Sequence, residues 1–306
     1  MMRVTNTMLV DGAIAAMQQA LARIGVSQSR MATGRQLQRP SDDPAGHAAA
    51  TRIQARVAAT DQYKRQAQQA ESTLTATDAA LGQLQDLLTR ASELAVTGAN
   101  DSNNATDRAA IAAEVNALLE ESVTVANTVE DGRSLFGGQE TRTPPLTVTR
   151  NASGDIAAAA WNPRGVDAAV TLGIDQGLDV PVNVGGTAVF GAATDATFVP
   201  ALLARLRDAL TANDGDAVRA TIDQLTTAQA RLADPSAAVG GRLGFVQQTL
   251  TTLDDKSTAA KAALSAILDA DVGRVATELA QQQLVYQASL AAAARAIQPS
   301  LLEFLR

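Results

Sequence analysis

The chain has 306 residues, of which 46% are hydrophobic but only 3% aromatic, so its cores must be aliphatic and rich in alanine. The formal net charge is −7 without a basic cluster, which disfavours binding to nucleic acid or to an anionic membrane. The absence of cysteine excludes disulfides and thiolate catalysis, and no apolar run reaches the ~18 residues of a membrane span.

The first predicted element is a helix that ends before Gly34. Its seam, the stripe of residues at alternating three- and four-residue spacing that packs on another helix, consists of Ile14, Met17, Leu21, Ile24, Gln28 and Met31. Pro40 and Pro44 exclude a helix between them, because proline lacks the amide donor. The segment 41–44 predicts a turn in which Asp43 caps the next helix and Pro44 takes its first position.

The second helix is predicted to continue without a break to about Gly98. Its seam keeps the same spacing over Ile53, Val57, Thr60, Lys64, Ala67, Glu71, Leu74, Thr77, Leu81, Leu84, Leu88, Ala91 and Ala95. After a polar turn, a third helix is capped by Thr106 or Asn104 and ends near Asp131. Its seam is Ile111, Val115, Leu118, Ser122, Val125 and Val129.

From about Leu135 to Pro200, pairs of glycines and prolines break the helical pattern. Five short runs at hairpin spacing predict strands: Leu146–Arg150, Ile156–Trp161, Ala169–Ile174, Val180–Val184 and Thr187–Phe190. We expect a small β-rich module here, marginal in size for a core of its own.

Helical pattern returns at Phe198 with two short helices, followed by one long helix predicted from about Gly240 towards Gln298. Its first seam is Val246, Leu250, Leu253, Ser257, Ala260, Leu264 and Ile267. After a shift of one residue, the seam resumes as Leu268, Val272, Val275, Leu279, Gln282, Tyr286, Ser289, Ala293 and Ile297.

The predicted fold is mainly α with a β-rich insertion: a long-helix bundle built from both chain termini plus a small central β module. The seams are diluted with alanine and polar residues, so one helix alone buries too little area to be stable. We predict four segments: an assembly helix and turn (1–45), the first half of the bundle (46–138), the β-rich module (139–200) and the second half with a terminal assembly helix (201–306).

The residues favour no catalytic chemistry. His47 is the only histidine, and an ordinary solvated side chain explains it better than a metal ligand. Asp42 and Asp43 fit a turn and helix cap better than a pair of catalytic acids. The glycine pairs lack the flanking strand, helix and lysine of a phosphate loop. We therefore predict no enzyme, no cofactor and no metal.

The apolar tail is the remaining candidate for a site. Leu301, Leu302 and Phe304 have no reason to be exposed in a monomer. They either fold back onto the bundle or are buried by another subunit, and we favour the second.

Several segments resemble the flagellin family. Arg39-Pro40-Ser41-Asp42-Asp43-Pro44-Ala45 is similar to the hook–filament junction branch of that family, whereas flagellin proper usually carries Ala-Ala-Asp-Asp-Ala here. Further similar segments are Leu94–Val96, Asp107–Ile111, Ala126–Thr128 and the end from Gln281–Gln283 through Ser300–Leu305. The resemblance covers about residues 1–140 and 200–306, and the middle only loosely.

This resemblance implies a structural subunit outside the cell that joins the hook to the filament by helical self-assembly. It implies export by the flagellar type III apparatus without a cleaved leader, and terminal helices that become ordered on assembly. The implied partners are copies of itself in a ring, a neighbouring hook-associated protein on the hook side, filament-side junction subunits and flagellin, and an export chaperone. Neither nucleic acid nor a membrane is expected as a partner.

The predicted assembly surface combines the connection after the first helix, the last helix and the tail. Its residues are Arg39, Pro40, Asp42, Asp43, Pro44, Leu279, Tyr286, Leu290, Ile297, Leu301, Leu302 and Phe304. One alternative is a short flagellin, against which Pro40, Pro44 and the tail argue. Another is a soluble helical signalling protein of the chemoreceptor type, in which a β insertion is not expected.

Overall fold

The computed structural model describes residues 6–297, which form eight helices and six short strands. The helices are α1 (Asn6–Thr33), α2 (Pro44–Gly98), α3 (Ala105–Ala126), α4 (Gly186–Phe190), α5 (Val199–Thr211), α6 (Gly215–Arg231), α7 (Ala233–Leu268) and α8 (Val272–Ile297). The strands are β1 (Val129–Glu130), β2 (Arg133–Ser134), β3 (Leu146–Arg150), β4 (Ile156–Trp161), β5 (Thr171–Asp175) and β6 (Leu178–Pro181). The predicted fold class, mainly α with small sheets in the middle, is confirmed.

Packing divides the chain into two units. The terminal unit comprises residues up to Ala59 and residues from Lys256 onward, and the central unit is Thr60–Asp255. Both α2 and α7 contribute residues to both units. The β strands share the central unit with helices, and their buried residues belong to the same hydrophobic core. The predicted division into four segments stays a prediction.

The predicted seam of α2 is buried in the central unit from Leu74 to Ala95. The two charged seam positions before it bind side chains of α7 instead of entering an apolar core. Lys64 forms an ion pair with Asp254, Nζ to Oδ1 2.5 Å, and Glu71 accepts a hydrogen bond from Gln247 at 3.2 Å. The polar dilution of this seam is therefore matched by polar partners on the facing helix.

The start of α3 follows one of the two predicted caps. Asn104 accepts hydrogen bonds at Oδ1 from the amides of Thr106 and Asp107, at 2.8 and 3.0 Å. The Asp107 carboxylate accepts in return from the amide of Asn104, which completes a capping box. Of the two predicted caps, Asn104 takes the role and Thr106 lies inside the helix.

The end of α3 was predicted too late. The helix stops at Ala126, and a tight hairpin of β1 and β2 follows, with Asp131 and Gly132 at positive φ of 49° and 73°. These values suit a two-residue hairpin turn. Val129, predicted in the helical seam, lies in β1 and is exposed.

The β strands form three separate antiparallel hairpins, β1–β2, β3–β4 and β5–β6. The bounds of β3 and β4 agree with the prediction, and β5 and β6 overlap their predicted runs. The fifth predicted strand, Thr187–Phe190, is wrong because these residues form α4. There the ring of Phe190 packs edge-on against Phe136 and Trp161, with centroids 5.3 and 5.8 Å away, so tertiary packing overrides β propensity.

A buried arginine ties two turns of the central unit together. The Arg108 guanidinium donates from Nε to the carbonyl of Gly98 at 2.9 Å and from Nη2 to that of Asn100 at 3.2 Å. Its Nη1 donates to Oδ1 of Asn213 at 2.7 Å, so the α2–α3 turn is joined to the α5–α6 turn. No carboxylate is among these partners, and the charge is held by carbonyl dipoles, including the end of α2.

The long C-terminal helix is not continuous as predicted. It begins earlier, at Ala233, and breaks after Leu268, before α8 starts at Val272. Asp271 accepts at Oδ1 from the amide of Arg274 at 3.1 Å, in the manner of a helix cap. The break falls where the predicted seam shifts by one residue, because a straight helix cannot keep both stripes on one face.

Candidate assembly surface

The connection between α1 and α2 is an ordered turn held by its two aspartates. Asp42 accepts hydrogen bonds at Oδ2 from the amides of Gln38 and Arg39, at 3.3 and 3.0 Å. Asp43 accepts at Oδ1 from two amides in the first turn of α2, both at 3.0 Å, and caps that helix as predicted. Since both carboxylates bind backbone amides, the turn-and-cap interpretation is confirmed.

A backbone bridge joins this connection to the break between α7 and α8. It pairs the segments Gly34–Gln36 and Leu268–Ala270. The amide of the last residue of each segment donates to the carbonyl of the first residue of the other, and both bonds are 2.8 Å long. The middle residues, Arg35 and Asp269, are antiparallel partners. Neither break in the helices is therefore an isolated loop.

Beyond the bridge, α1 and α8 pack closely as an antiparallel pair. Small residues at seven-residue spacing, Ala13, Ala20 and Ser27, lie on the buried or half-buried face of α1. The Ser27 hydroxyl donates to Oε1 of Gln282 in α8 at 2.9 Å. Small side chains let two helix backbones approach closely, but they bury little apolar area. The two helices therefore fit closely together but bury little apolar area between them.

The same two helices leave eight large apolar side chains exposed, of which Val26 and Val285 also line grooves between the helices. These residues, which we call the outer apolar face, are Met8, Ile14, Leu21, Val26, Val272, Leu284, Val285 and Leu290. Within the described residues, the larger central unit exposes only Val96, Val129 and Phe245 in this way. Such a concentration of exposed apolar residues is typical of a protein interaction site.

The predicted seam of α1 is wrong at three positions. Ile14, Leu21 and Gln28 were expected to face another helix of the chain, yet all three are exposed. The residue before each of them lies on the face towards α8 instead. Because α1 is apolar on two sides, periodicity alone selected the larger residue at these three positions, whereas the small residue before each of them packs towards α8.

Five predicted assembly residues lie together on the surface of the α1–α2 connection. Arg39, Pro40, Asp42, Asp43 and Pro44 are all exposed there. Their side chains are therefore accessible in the isolated chain, although Asp42 and Asp43 already bind backbone amides. Their role in assembly stays a prediction.

The predicted assembly residues of the last helix fall into two groups. Leu279 and Tyr286 are half-buried on the seam side of α8, whereas Leu290 is exposed and belongs to the outer apolar face. Ile297 is the last residue of α8, and its side chain is outside the described part of the chain. The tail residues also lie outside it: Leu301, Leu302 and Phe304.

Charged groups of the central unit pair on its surface. The Arg150 guanidinium in β3 donates to both carboxylate oxygens of Glu120 in α3, with Nη2 to Oε2 at 2.7 Å, and this bond lowers the pKa of Glu120. Arg90 donates to Glu114 and Glu93, and these hydrogen bonds raise its pKa. The pKa shifts arise from exposed ion pairs that hold elements together.

Residues 6–297 contain no cluster of three or more histidine and carboxylate side chains that could hold a metal ion. His47 lies half-buried in the first turn of α2, where its amide donates to the carbonyl of Asp43 at 2.9 Å. No helix within these residues is long and apolar enough to span a membrane. The outer apolar face is the feature of the described chain that best fits a functional site.

Comparison with known proteins gives one family and a consistent set of relatives. Residues 5–141 match the bacterial flagellin N-terminal helical region. Flagellin FlaB1 of Treponema pallidum is 24% identical over 90% of this chain and 88% of its own length. Flagellar hook-associated protein 3 of Salmonella typhimurium is 22% identical over 94% of this chain and 95% of its own length.

A solved structure has the same fold. The putative flagellar hook-associated protein from Vibrio parahaemolyticus superposes with a TM-score of 0.65 at 17% identity. The match covers 74% of this chain and 99% of that one. At this identity the likeness is one of fold.

Proposed function

We propose that this chain is a structural subunit of the bacterial flagellum that joins the hook to the filament. Its motifs predicted a flagellin-family protein, and the match over residues 5–141 confirms that family. The observation that carries the proposal is the outer apolar face. A helix pair that buries few apolar side chains and exposes several large ones gains stability when neighbouring subunits cover it. Its position on the helices nearest both chain ends is where the family resemblance places assembly.

The junction is favoured over the filament itself by two features. The prolines at positions 40 and 44 are those of the junction branch that the sequence resembles. Flagellar hook-associated protein 3 of Salmonella typhimurium aligns over 95% of its length, and a putative flagellar hook-associated protein has the same fold. A short flagellin remains the second candidate, because FlaB1 aligns over most of both chains.

The partners follow from this role. Copies of the chain assemble into a ring, with a hook-associated protein on one side and filament-side junction subunits and flagellin on the other. An export chaperone holds the chain before it leaves the cell through the flagellar type III apparatus. The tail residues Leu301, Leu302 and Phe304 are buried by a neighbouring subunit, as is the outer apolar face. The role is structural, and no catalysis is involved.

Deletion of the gene tests the proposal. Electron microscopy of the deleted cells is expected to show hooks without filaments, and immunoblotting is expected to show flagellin lost to the medium. Expression of the intact gene from a plasmid restores filaments. Normal filaments on the deleted cells would exclude the junction role and leave a redundant flagellin. Abundance separates the two candidates further, because a filament subunit is made in far more copies than a junction subunit.

A further inference from the structure

We propose that the backbone bridge between Gly34–Gln36 and Leu268–Ala270 is a clip that fixes the register of α1 against α8. The clip stays closed in the assembled flagellum, so the two terminal helices act there as one arm. The inference rests on the proposed function, because it concerns what this arm does at the junction.

The seam between α1 and α8 specifies register poorly on its own. The face of α1 towards α8 alternates small residues, Ala13, Ala20 and Ser27, with large ones, Met17 and Ile24, and both sets repeat every seven residues. A slip by one heptad would therefore replace each residue by one of similar size at little cost in packing. The bond from Ser27 to Gln282 favours one register, but it is a single hydrogen bond between partly buried side chains.

The bridge, in contrast, permits only one register. Each of its two hydrogen bonds joins a particular amide to a particular carbonyl, so a slip of either helix breaks both. Gly34 allows α1 to end where the bridge begins, because its φ of +65° lies in the left-handed region that favours glycine. Arg274, in the first turn of α8, adds a bond from Nη2 to Oε1 of Gln36 at 3.3 Å. The bridge therefore holds the end of α1 beside the start of α8.

The clip is formed by the backbone and leaves two side chains accessible. The hydrogen bonds are between backbone atoms, while the side chains of Arg35 and Asp269 are exposed. Their arrangement is that of the non-hydrogen-bonded pair of an antiparallel ladder, in which Cα atoms lie about 4.5 Å apart. This distance suits a disulfide. Since the chain has no cysteine, two introduced cysteines would have no competing partner within the chain.

The test replaces the gene by one that encodes Arg35→Cys and Asp269→Cys together. Flagella assemble with the thiols reduced, are treated with a mild oxidant, and are compared on gels with and without reductant. The clip predicts an intramolecular disulfide, seen as a faster band that reductant abolishes, in the majority of copies. Cells are expected to keep their filaments and to swim after oxidation. Failure to form the disulfide in assembled flagella, or loss of filaments once it forms, would overturn the proposal.

Three controls separate the possible causes. The variants with only Arg35→Cys or only Asp269→Cys are expected to give no fast band. The double variant Arg35→Ser, Asp269→Ser lacks the same side chains without a disulfide and is expected to keep filaments. Loss of filaments in that variant would show that the side chains of Arg35 and Asp269, not the backbone bridge, are required for the function of the clip. Normal filaments in cells without the gene would refute the junction role, but the disulfide yield would still report on the clip.

Discussion

The outer apolar face gives the sharpest prediction about assembly. Four of its residues, Ile14, Leu21, Leu284 and Val285, are 44%, 51%, 66% and 51% exposed in the isolated chain. Full burial of such a side chain contributes roughly 1.5–3 kcal/mol, so burial of the exposed half contributes about 1 kcal/mol each. The four together stabilise an assembled subunit by about 4 kcal/mol, or roughly a thousandfold in its association constant.

Changing all four residues to serine should remove this stabilisation of the assembled subunit. It should not unfold the central unit, which contains none of the four residues. We expect cells that lack the gene to remain without filaments when they express the variant. Thermal unfolding of the purified protein, followed by circular dichroism, should retain the transition of the central unit. Swimming and filament counts, made on the same cultures, provide the assay.

The matched control changes four exposed glutamines of the same two helices to serine, at Gln18, Gln28, Gln283 and Gln287. It lowers helix propensity at least as much as the apolar variant does, but it removes none of the large apolar side chains. This control should restore filaments. If the apolar variant restored filaments as well as the control does, the reasoning that the outer apolar face drives assembly would be refuted.

Three further substitutions test, by urea unfolding, what individual residues contribute to the stability of the chain. Gly34→Ala should lower the free energy of unfolding by about 1 kcal/mol, because φ there is positive. Arg108→Met should lower it by about 3 kcal/mol, because buried carbonyls lose their donor. Glu120→Gln should lower it by less than about 1 kcal/mol at pH 7, because the carboxylate is partly exposed. Since Arg150 lowers the pKa of Glu120, this contribution is present above the pKa of the unfolded chain and is lost as pH falls through the native pKa.

Each substitution has a control in the same kind of position. Gly25→Ala lies inside α1 with open space around it and should be neutral or stabilising. Arg56→Met removes an exposed arginine of α2, and Glu121→Gln removes an exposed carboxylate beside the ion pair. Equal effects of substitution and control would contradict the role assigned to Gly34 or Arg108. A loss in Glu120→Gln that did not decrease as the pH is lowered would contradict the ion-pair explanation.

The long helices were predictable because several signals agreed. For α2, proline at its first position, an aspartate cap and an unbroken seam all predicted the bounds Pro44–Gly98 that the structure has. For α3, Asn104 gave the correct start, but the seam was extended to Val129 in spite of the Asp131-Gly132 turn. For the position of a helix end, an apolar residue that continues the seam is weaker evidence than a following dipeptide that favours a hairpin turn.

The break after Leu268 could have been predicted from the one-residue shift of the seam. No proline or glycine marks it, so the shift was interpreted as a change of face within one helix. Two aspartates, at 269 and 271, were the additional signal, because aspartate favours turns and caps over helix interiors. The pairing of this break with Gly34–Gln36 was beyond prediction, since it depends on a contact between distant parts of the chain.

The candidate site was predicted only in part. Motif and spacing predicted the turn and cap at Pro40–Pro44 and the α8 seam from Val275 onward. In contrast, Val272 was assigned to a seam that does not bury it, and Ile14 and Leu21 were assigned to the wrong side of α1. Their exposure depends on which of two apolar faces packs within the chain. Sequence periodicity cannot separate packing within a subunit from packing between subunits, because both bury the same residue types.

Immunogold labelling of intact flagella tests the central claim most directly. An antibody against the central unit, applied to wild-type cells, should label a single narrow zone where the hook meets the filament, and the deleted cells should show no label. Label along the whole filament would contradict the junction role and identify the chain as a filament subunit.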